Sequence, residues 1–349
     1  MAFRRWQKQE ITLADGNQAD AICPVIISAS RSTDIPAFFS KWFRNRLQAG
    51  YMRWTNPFNA NQIQYVAFRD TRVIVFWSKN PKPIIRYLPE IDAKGIKYYF
   101  QFTLNDYHSE SLEPNVPPLQ QRIDTFKSLS ERLGKKRVVW RYDPLILTES
   151  LTVETLLDRV DRVAGMLRGY TEKLVISFAD INVYKKVQNN LARENVPYRE
   201  FTPELMLEIA EGLSKRNREW GLKIATCAEG IDLGRFGIAH NRCIDDDLMI
   251  ELFRDDTALM DFLGYEPDLF ADLSRPYLKD KGQRKECGCV VSKDIGMYDT
   301  CHHLCTYCYA NTSCKAVENN LRRHDPHEES LVSGCALPNR LTRASTQWE

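Results

Sequence analysis

No apolar run of 18 residues occurs anywhere in the chain, which argues against a transmembrane helix. The first residues, Met1-Ala2-Phe3-Arg4-Arg5-Trp6, lack the apolar stretch of an export signal. A cytoplasmic protein with reduced thiols is therefore expected, and no membrane partner. Charge of one sign is scarce too. The formal net charge is +2, so bulk electrostatics gives no argument for a nucleic-acid partner. No GxGxxG follows the first strand pattern, which counts against a dinucleotide-binding sheet. No internal repeat is visible. What remains is an ordinary globular composition, 43% apolar and 27% charged over 349 residues, enough to bury a large core.

Cysteine is the exception to this ordinary make-up. Six of the ten fall within residues 287–314. Cys301, Cys305 and Cys308 form CxxxCxxC, Cys287 and Cys289 form CxC just upstream, and Cys314 follows. Thiols packed this closely hold metal or pair as disulfides. A single CxxC with a further cysteine four residues ahead favours an iron–sulfur cluster over a zinc ribbon, which more often shows two separated pairs. Three ligands leave the fourth iron of a [4Fe–4S] cluster open to a substrate or cofactor. Cys287, Cys289 and Cys314 offer a second cluster or zinc site, or a further ligand to the first. His302 and His303 are expected to flank the loop without ligating, and Cys23, Cys243 and Cys335 to be structural.

Apolar runs of strand length alternate with helical patterns along most of the chain. Strands are expected at 24–30, 73–77, 98–103, 137–142, 174–178 and 222–226, with a short one at 51–54 and a leading hairpin or strand in 1–22. Alternation at this spacing predicts a parallel sheet with crossover helices. The count suits a full or partial (β/α) TIM-like barrel, with a doubly wound open sheet as runner-up. Residues 1–285 read as the barrel with a helical connector, including a helix at 246–263 and a basic stretch at 275–285. Residues 286–349 read as a cysteine-rich segment with a polar tail.

Each strand stops in polar residues, and in a barrel these gather at one mouth. Arg141 and Asp143 are two apart on a strand and share a face. They are read as catalytic candidates or as a rim ion pair. Cys227 is a candidate hydrogen donor or radical relay, against the plainer reading of a small buried hydrophobe. Lys79 and Asn80 follow one strand and Ser177 ends another, and Lys79 suits a phosphate or carboxylate. Glu229 lies two residues beyond Cys227.

The cysteine loop resembles the cluster loop of radical S-adenosylmethionine (SAM) enzymes, whose motif places an aromatic before the last cysteine. The run Cys305-Thr306-Tyr307-Cys308-Tyr309-Ala310 looks most like the photoproduct-lyase branch. In that superfamily the loop follows the first strand, whereas here it comes last. The whole chain looks like a DUF1848-type protein, through Ser28–Pro36, Trp77–Pro81, Trp140–Pro144 and the cysteine block. The resemblance implies a [4Fe–4S] cluster on Cys301, Cys305 and Cys308 that binds SAM, and Tyr307 against its adenine. It also implies a reductant such as flavodoxin or ferredoxin and a nucleic-acid or nucleotide substrate. Lys79, Asn80, Ser177 and Glu229 would take the ribose and amino-acid groups, although the superfamily's Gly-Gly-Glu stretch is absent. The competing reading is a barrel that binds or hydrolyses, with the cysteines as a zinc or iron–sulfur staple. The catalytic reading requires the loop to reach the strand C-terminal mouth near Arg31, Lys79 and Arg141.

Overall fold

The computed structural model describes residues 3, 5–57, 59–266 and 278–333. In chain order come β1 (Gln7–Thr12), β2 (Gln18–Cys23), β3 (Ile26–Ala29), α1 (Ile35–Phe38), α2 (Ser40–Ala49), β4 (Tyr51–Asn56), β5 (Asn59–Ala67) and β6 (Val73–Ser78). Then follow α3 (Leu88–Ala93), β7 (Lys97–Thr103), α4 (Leu119–Leu133), β8 (Val138–Leu145), β9 (Leu147–Thr148), α5 (Val153–Leu167), β10 (Lys173–Phe178) and α6 (Lys185–Arg193). The chain continues with β11 (Tyr198–Arg199), α7 (Pro203–Trp220), β12 (Lys223–Thr226), β13 (Ile238–His240), α8 (Asp246–Phe253), α9 (Thr257–Leu263), β14 (Lys293–Asp294) and α10 (Cys314–Arg322).

Eight strands form one sheet in the order β13-β12-β10-β8-β7-β6-β3-β14. Every pairing in it is parallel. The six expected strands occupy its centre. Their apolar runs are buried on both faces, as a helix-covered parallel sheet requires. The side chains of Ile74, Phe76, Tyr98, Phe100 and Trp140 point to the helix side, into the core shared with α4 and α5. Val73, Val75 and Tyr99 alternate to the other face, under Ile244, Met249 and Leu259.

The fold is mixed α/β, and a closed barrel is not shown. The edge strands β13 and β14 are three and two residues long and, among the described residues, do not pair with each other. The strand expected at 51–54 lies instead in a side sheet of order β1-β2-β5-β4. The helix expected over 246–263 is two helices. Buried Asp256 interrupts it, capping α9 through Leu259 N at 3.0 Å and pairing with Arg72 at 2.7 Å. Cys335, residues 275–277 of the connector and the tail from 334 lie outside the described residues. No helix among the described residues is long and apolar enough to cross a membrane.

Candidate metal centre

β14 brings the cysteine loop to the C-terminal edge of the sheet. It pairs with β3, Lys293 beside Ile27 and Asp294 beside Ser28. The Asp294 carboxylate then accepts from Ser28 Oγ, Ser30 Oγ and Arg31 N, each at 2.8 Å, and from Gly296 N at 2.9 Å. At 296 a Cβ would overlap the Ser30 hydroxyl, so only glycine lets the chain pass this close.

Beyond Gly296 the loop docks on the ends of β3, β6 and β7. Tyr309 donates to Arg31 O at 2.9 Å, Thr306 N to Leu112 O at 3.0 Å, and Asn115 Nδ2 to His302 O at 2.9 Å. His303 Nε2 lies 2.8 Å from Asp34 Oδ2. The loop thus sits by Arg31 and Lys79. Arg141 is turned elsewhere, toward Cys243, with its Nη1 2.8 Å from that sulfur.

Cys305 is buried, and Cys301 and Cys308 are half-buried. Burial pushes all three thiols up, Cys301 to about 12, while Lys79 pulls back on Cys305 and Cys308. The backbone N–H groups of His303 and Asp34 pull the Cys301 thiol back down, and those of Ala310 and Asn311 do so for Cys308. Such donors stabilise sulfur that carries negative charge. Three thiols on one short loop are the donor set that a thiolate-held iron–sulfur cluster takes.

A buried polar network adjoins the loop. Lys79 Nζ donates to Glu113 at 2.7 Å and to Tyr307 Oη at 3.0 Å. Tyr307 donates to Glu113, and Asn105 Nδ2 reaches Tyr307 Oη at 3.1 Å. Burial pushes the Glu113 carboxyl up, but Lys79 and Arg122 outweigh it and hold the group down at about 2. Tyr307 is therefore turned inward, its ring edge-on to Tyr107 with centroids 6.1 Å apart. Tyr309 is the exposed aromatic of the loop, 41% accessible, and packs on Tyr184 at 5.7 Å.

The other expected residues divide between two places. Arg141 pairs with Asp143, which also accepts from Ser177 Oγ. Asp143 N donates to Asn105 Oδ1 at 2.9 Å, which joins this group to the Lys79 network. Burial pushes Asp143 up, and Arg141 with Ser177 brings it below the usual carboxylate range. Asn80 is half-buried after β6, with its backbone N–H on Ser78 Oγ at 3.0 Å. Glu229 accepts from Phe178 N at 2.8 Å, and burial pushes it up to about 7. Cys227 lies 3.5 Å from Cys243, sulfur to sulfur. Cys314 is exposed at the start of α10, and the sulfur neighbours of Cys287 and Cys289 are Cys243 and Cys227 instead. Glu113, Asp34 and Tyr309 had no signal in the sequence beyond being polar or aromatic near strand ends.

The sequence matches the family described as a domain of unknown function, DUF1848, over residues 26–310. The chain belongs to this family. The matched span opens at the first residue of β3 and closes just past Cys308, so it takes in the whole parallel sheet and the cysteine loop. No curated protein matches the chain.

Proposed function

We propose that this DUF1848 chain is a radical SAM-type enzyme with a [4Fe–4S] cluster on Cys301, Cys305 and Cys308. The observation that carries the reading is the docking of the CxxxCxxC loop on the C-terminal ends of the strands, through His303 on Asp34 at 2.8 Å and Tyr309 on Arg31 O at 2.9 Å. When bound, the cluster and SAM supply one-electron chemistry, reductive cleavage to methionine and a 5′-deoxyadenosyl radical.

The chain's own residues bind, orient and exclude water. Asp34 and His303 hold the loop on the strand ends. The Lys79–Glu113 pair keeps a cation beside Cys305 and fixes Tyr307. Asn80, after β6, and Ser177, on β10, lie along the same C-terminal edge of the sheet and suit the ribose and amino-acid groups of SAM. For the adenine, exposed Tyr309 beside Tyr184 offers an aromatic surface, where stacking contributes on the order of 1 kcal/mol, while inward-turned Tyr307 would meet it only by swinging out. Arg141 and Asp143, paired on β8, are the candidates for contact with the substrate. A partial (β/α) barrel whose mouth is this edge belongs to the same proposal. So do a flavodoxin- or ferredoxin-type reductant, a nucleic-acid or nucleotide substrate and a cytoplasmic location. Anaerobic reconstitution with iron and sulfide, then SAM added to the reduced protein, tests it: 5′-deoxyadenosine and methionine are the expected products. A colourless protein holding zinc on the loop would favour the staple reading.

A further inference from the structure

Four other thiols, from three separate stretches, meet on the face of the sheet opposite the long helices. Cys227 follows β12, Cys243 follows β13, and Cys287 with Cys289 precedes β14. The Cys227 and Cys243 sulfurs are 3.5 Å apart. The Cys289 sulfur accepts from the backbone N–H groups of Cys243 and Ile244, each at 3.3 Å, and touches the thiols of Cys243 and Cys287. The Cys243 sulfur also accepts from Asn241 Nδ2 at 3.0 Å.

Two guanidiniums flank this group. Arg141 donates to Cys243, and Arg31 lies within electrostatic reach of Cys289 and Cys243. The two stand over the same Trp77 ring, at 5.1 and 5.5 Å from its centroid. Among the described residues the buried Arg31 Nη2 has no hydrogen-bond partner, while its Nη1 stands 4.0 Å from Asp280 Oδ2. Buried cations beside four neutral thiols would be a poor match. Both already face a carboxylate, Arg141 that of Asp143 and Arg31 that of Asp280 at 4.0 Å, and four thiolates around a divalent ion, net charge −2, would add to that counter-charge.

We propose that Cys227, Cys243, Cys287 and Cys289 form a second metal site that holds one tetrahedral zinc(II) ion. The closest sulfur pair already approaches the edge of about 3.8 Å that a tetrahedron with bonds of about 2.3 Å requires. The sulfurs run in the order Cys227, Cys243, Cys289, Cys287, and a tetrahedron requires the two ends to swing inward about χ1. Binding is not a redox step: the ion displaces four thiol protons to solvent and forms four metal–sulfur bonds. The ion would fasten the segment before β14 to the segments after β12 and β13, reinforcing the Val290 N to Ile244 O bond of 3.1 Å. It would thus hold together the two edges of the sheet that strand pairing leaves apart.

The site does not depend on the cluster loop, and the test separates the two. The full chain carrying Cys301→Ala, Cys305→Ala and Cys308→Ala is purified anaerobically, given zinc and dialysed. One equivalent of zinc is expected, and cobalt(II) in its place should give tetrahedral thiolate bands. Adding Cys243→Ser and Cys289→Ser should abolish both, while adding Cys314→Ser should leave both intact. If the Cys243 and Cys289 changes prevent folding, alkylation of the triple variant provides the readout. Zinc should then protect Cys227, Cys243, Cys287 and Cys289, and a chelator should expose them. Absence of zinc, zinc that survives both serines, or an iron–sulfur chromophore in the triple variant overturns the proposal. So does a mass lowered by two hydrogens that reductant restores, which would mean a Cys227–Cys243 disulfide.

Discussion

His303 Nε2 and Asp34 Oδ2 lie 2.8 Å apart, and both residues are buried. This contact joins the cysteine loop to the first strand–helix turn across 269 positions of sequence. Asp34 is a node: its carboxylate also accepts from Ala37 N at 2.9 Å, Ser78 Oγ at 2.7 Å and Lys79 N at 2.7 Å. Replacing His303 by Ala leaves a buried acceptor short of a donor, a loss of about 1–3 kcal/mol. Chemical denaturation should show a destabilisation of that size for His303→Ala, together with a lower iron content after reconstitution.

Ala at Cys301, Cys305 or Cys308 should each abolish the broad absorption near about 400 nm, because a three-cysteine site needs every thiolate. Cys23→Ala should keep it, as that residue packs with Ala21 and Ala67 against the side sheet. Iron content unchanged in Cys305→Ala would place the cluster on other ligands.

Gly296→Ala should lower stability by about 1–3 kcal/mol, the usual range for overpacking, because its Cβ overlaps Ser30. The β14 docking and the cluster should suffer together. Gly165, inside α5, has nothing within 4 Å of an added Cβ. Gly165→Ala should therefore stabilise by about 0.5–1 kcal/mol, and thermal melts of the two variants should move in opposite directions.

Lys293 sets a pH dependence. Burial lowers its pKa to about 7, against partial support from Asp294, and its ammonium stands 3.1 Å from the Trp54 ring centroid. A lysine whose folded pKa is depressed disfavours folding fully below that value. The penalty fades as pH rises from about 7 toward the unfolded value of about 10.4. Lys293→Met should raise the melting temperature at pH 7, with the gain shrinking by pH 10. A gain independent of pH would mean that the charge is not responsible.

Much of the sheet was legible because its central strands are short apolar runs buried on both faces. β13 and β14 were not: at three and two residues they are set by their neighbours, not by propensity. β5, Asn59–Ala67, reads as polar and becomes a strand by pairing with β4 and β2. In the site, the spacing of Cys301, Cys305 and Cys308 was visible at once. Their surroundings were not, since Glu113 and Asp34 reach the loop from 194 and 269 residues away. Spacing also misled. Cys314 is near Cys289 in sequence yet sits exposed on α10, whereas Cys227 and Cys243 come to Cys289 only through the fold.

We propose that the loop cluster keeps an iron open for SAM. The most direct measurement is the EPR spectrum of the reduced, reconstituted protein with and without saturating SAM. The claim predicts that SAM shifts the cluster's g-values and that Cys305→Ala shows no cluster signal at all. A wild-type cluster spectrum unchanged by saturating SAM would contradict it.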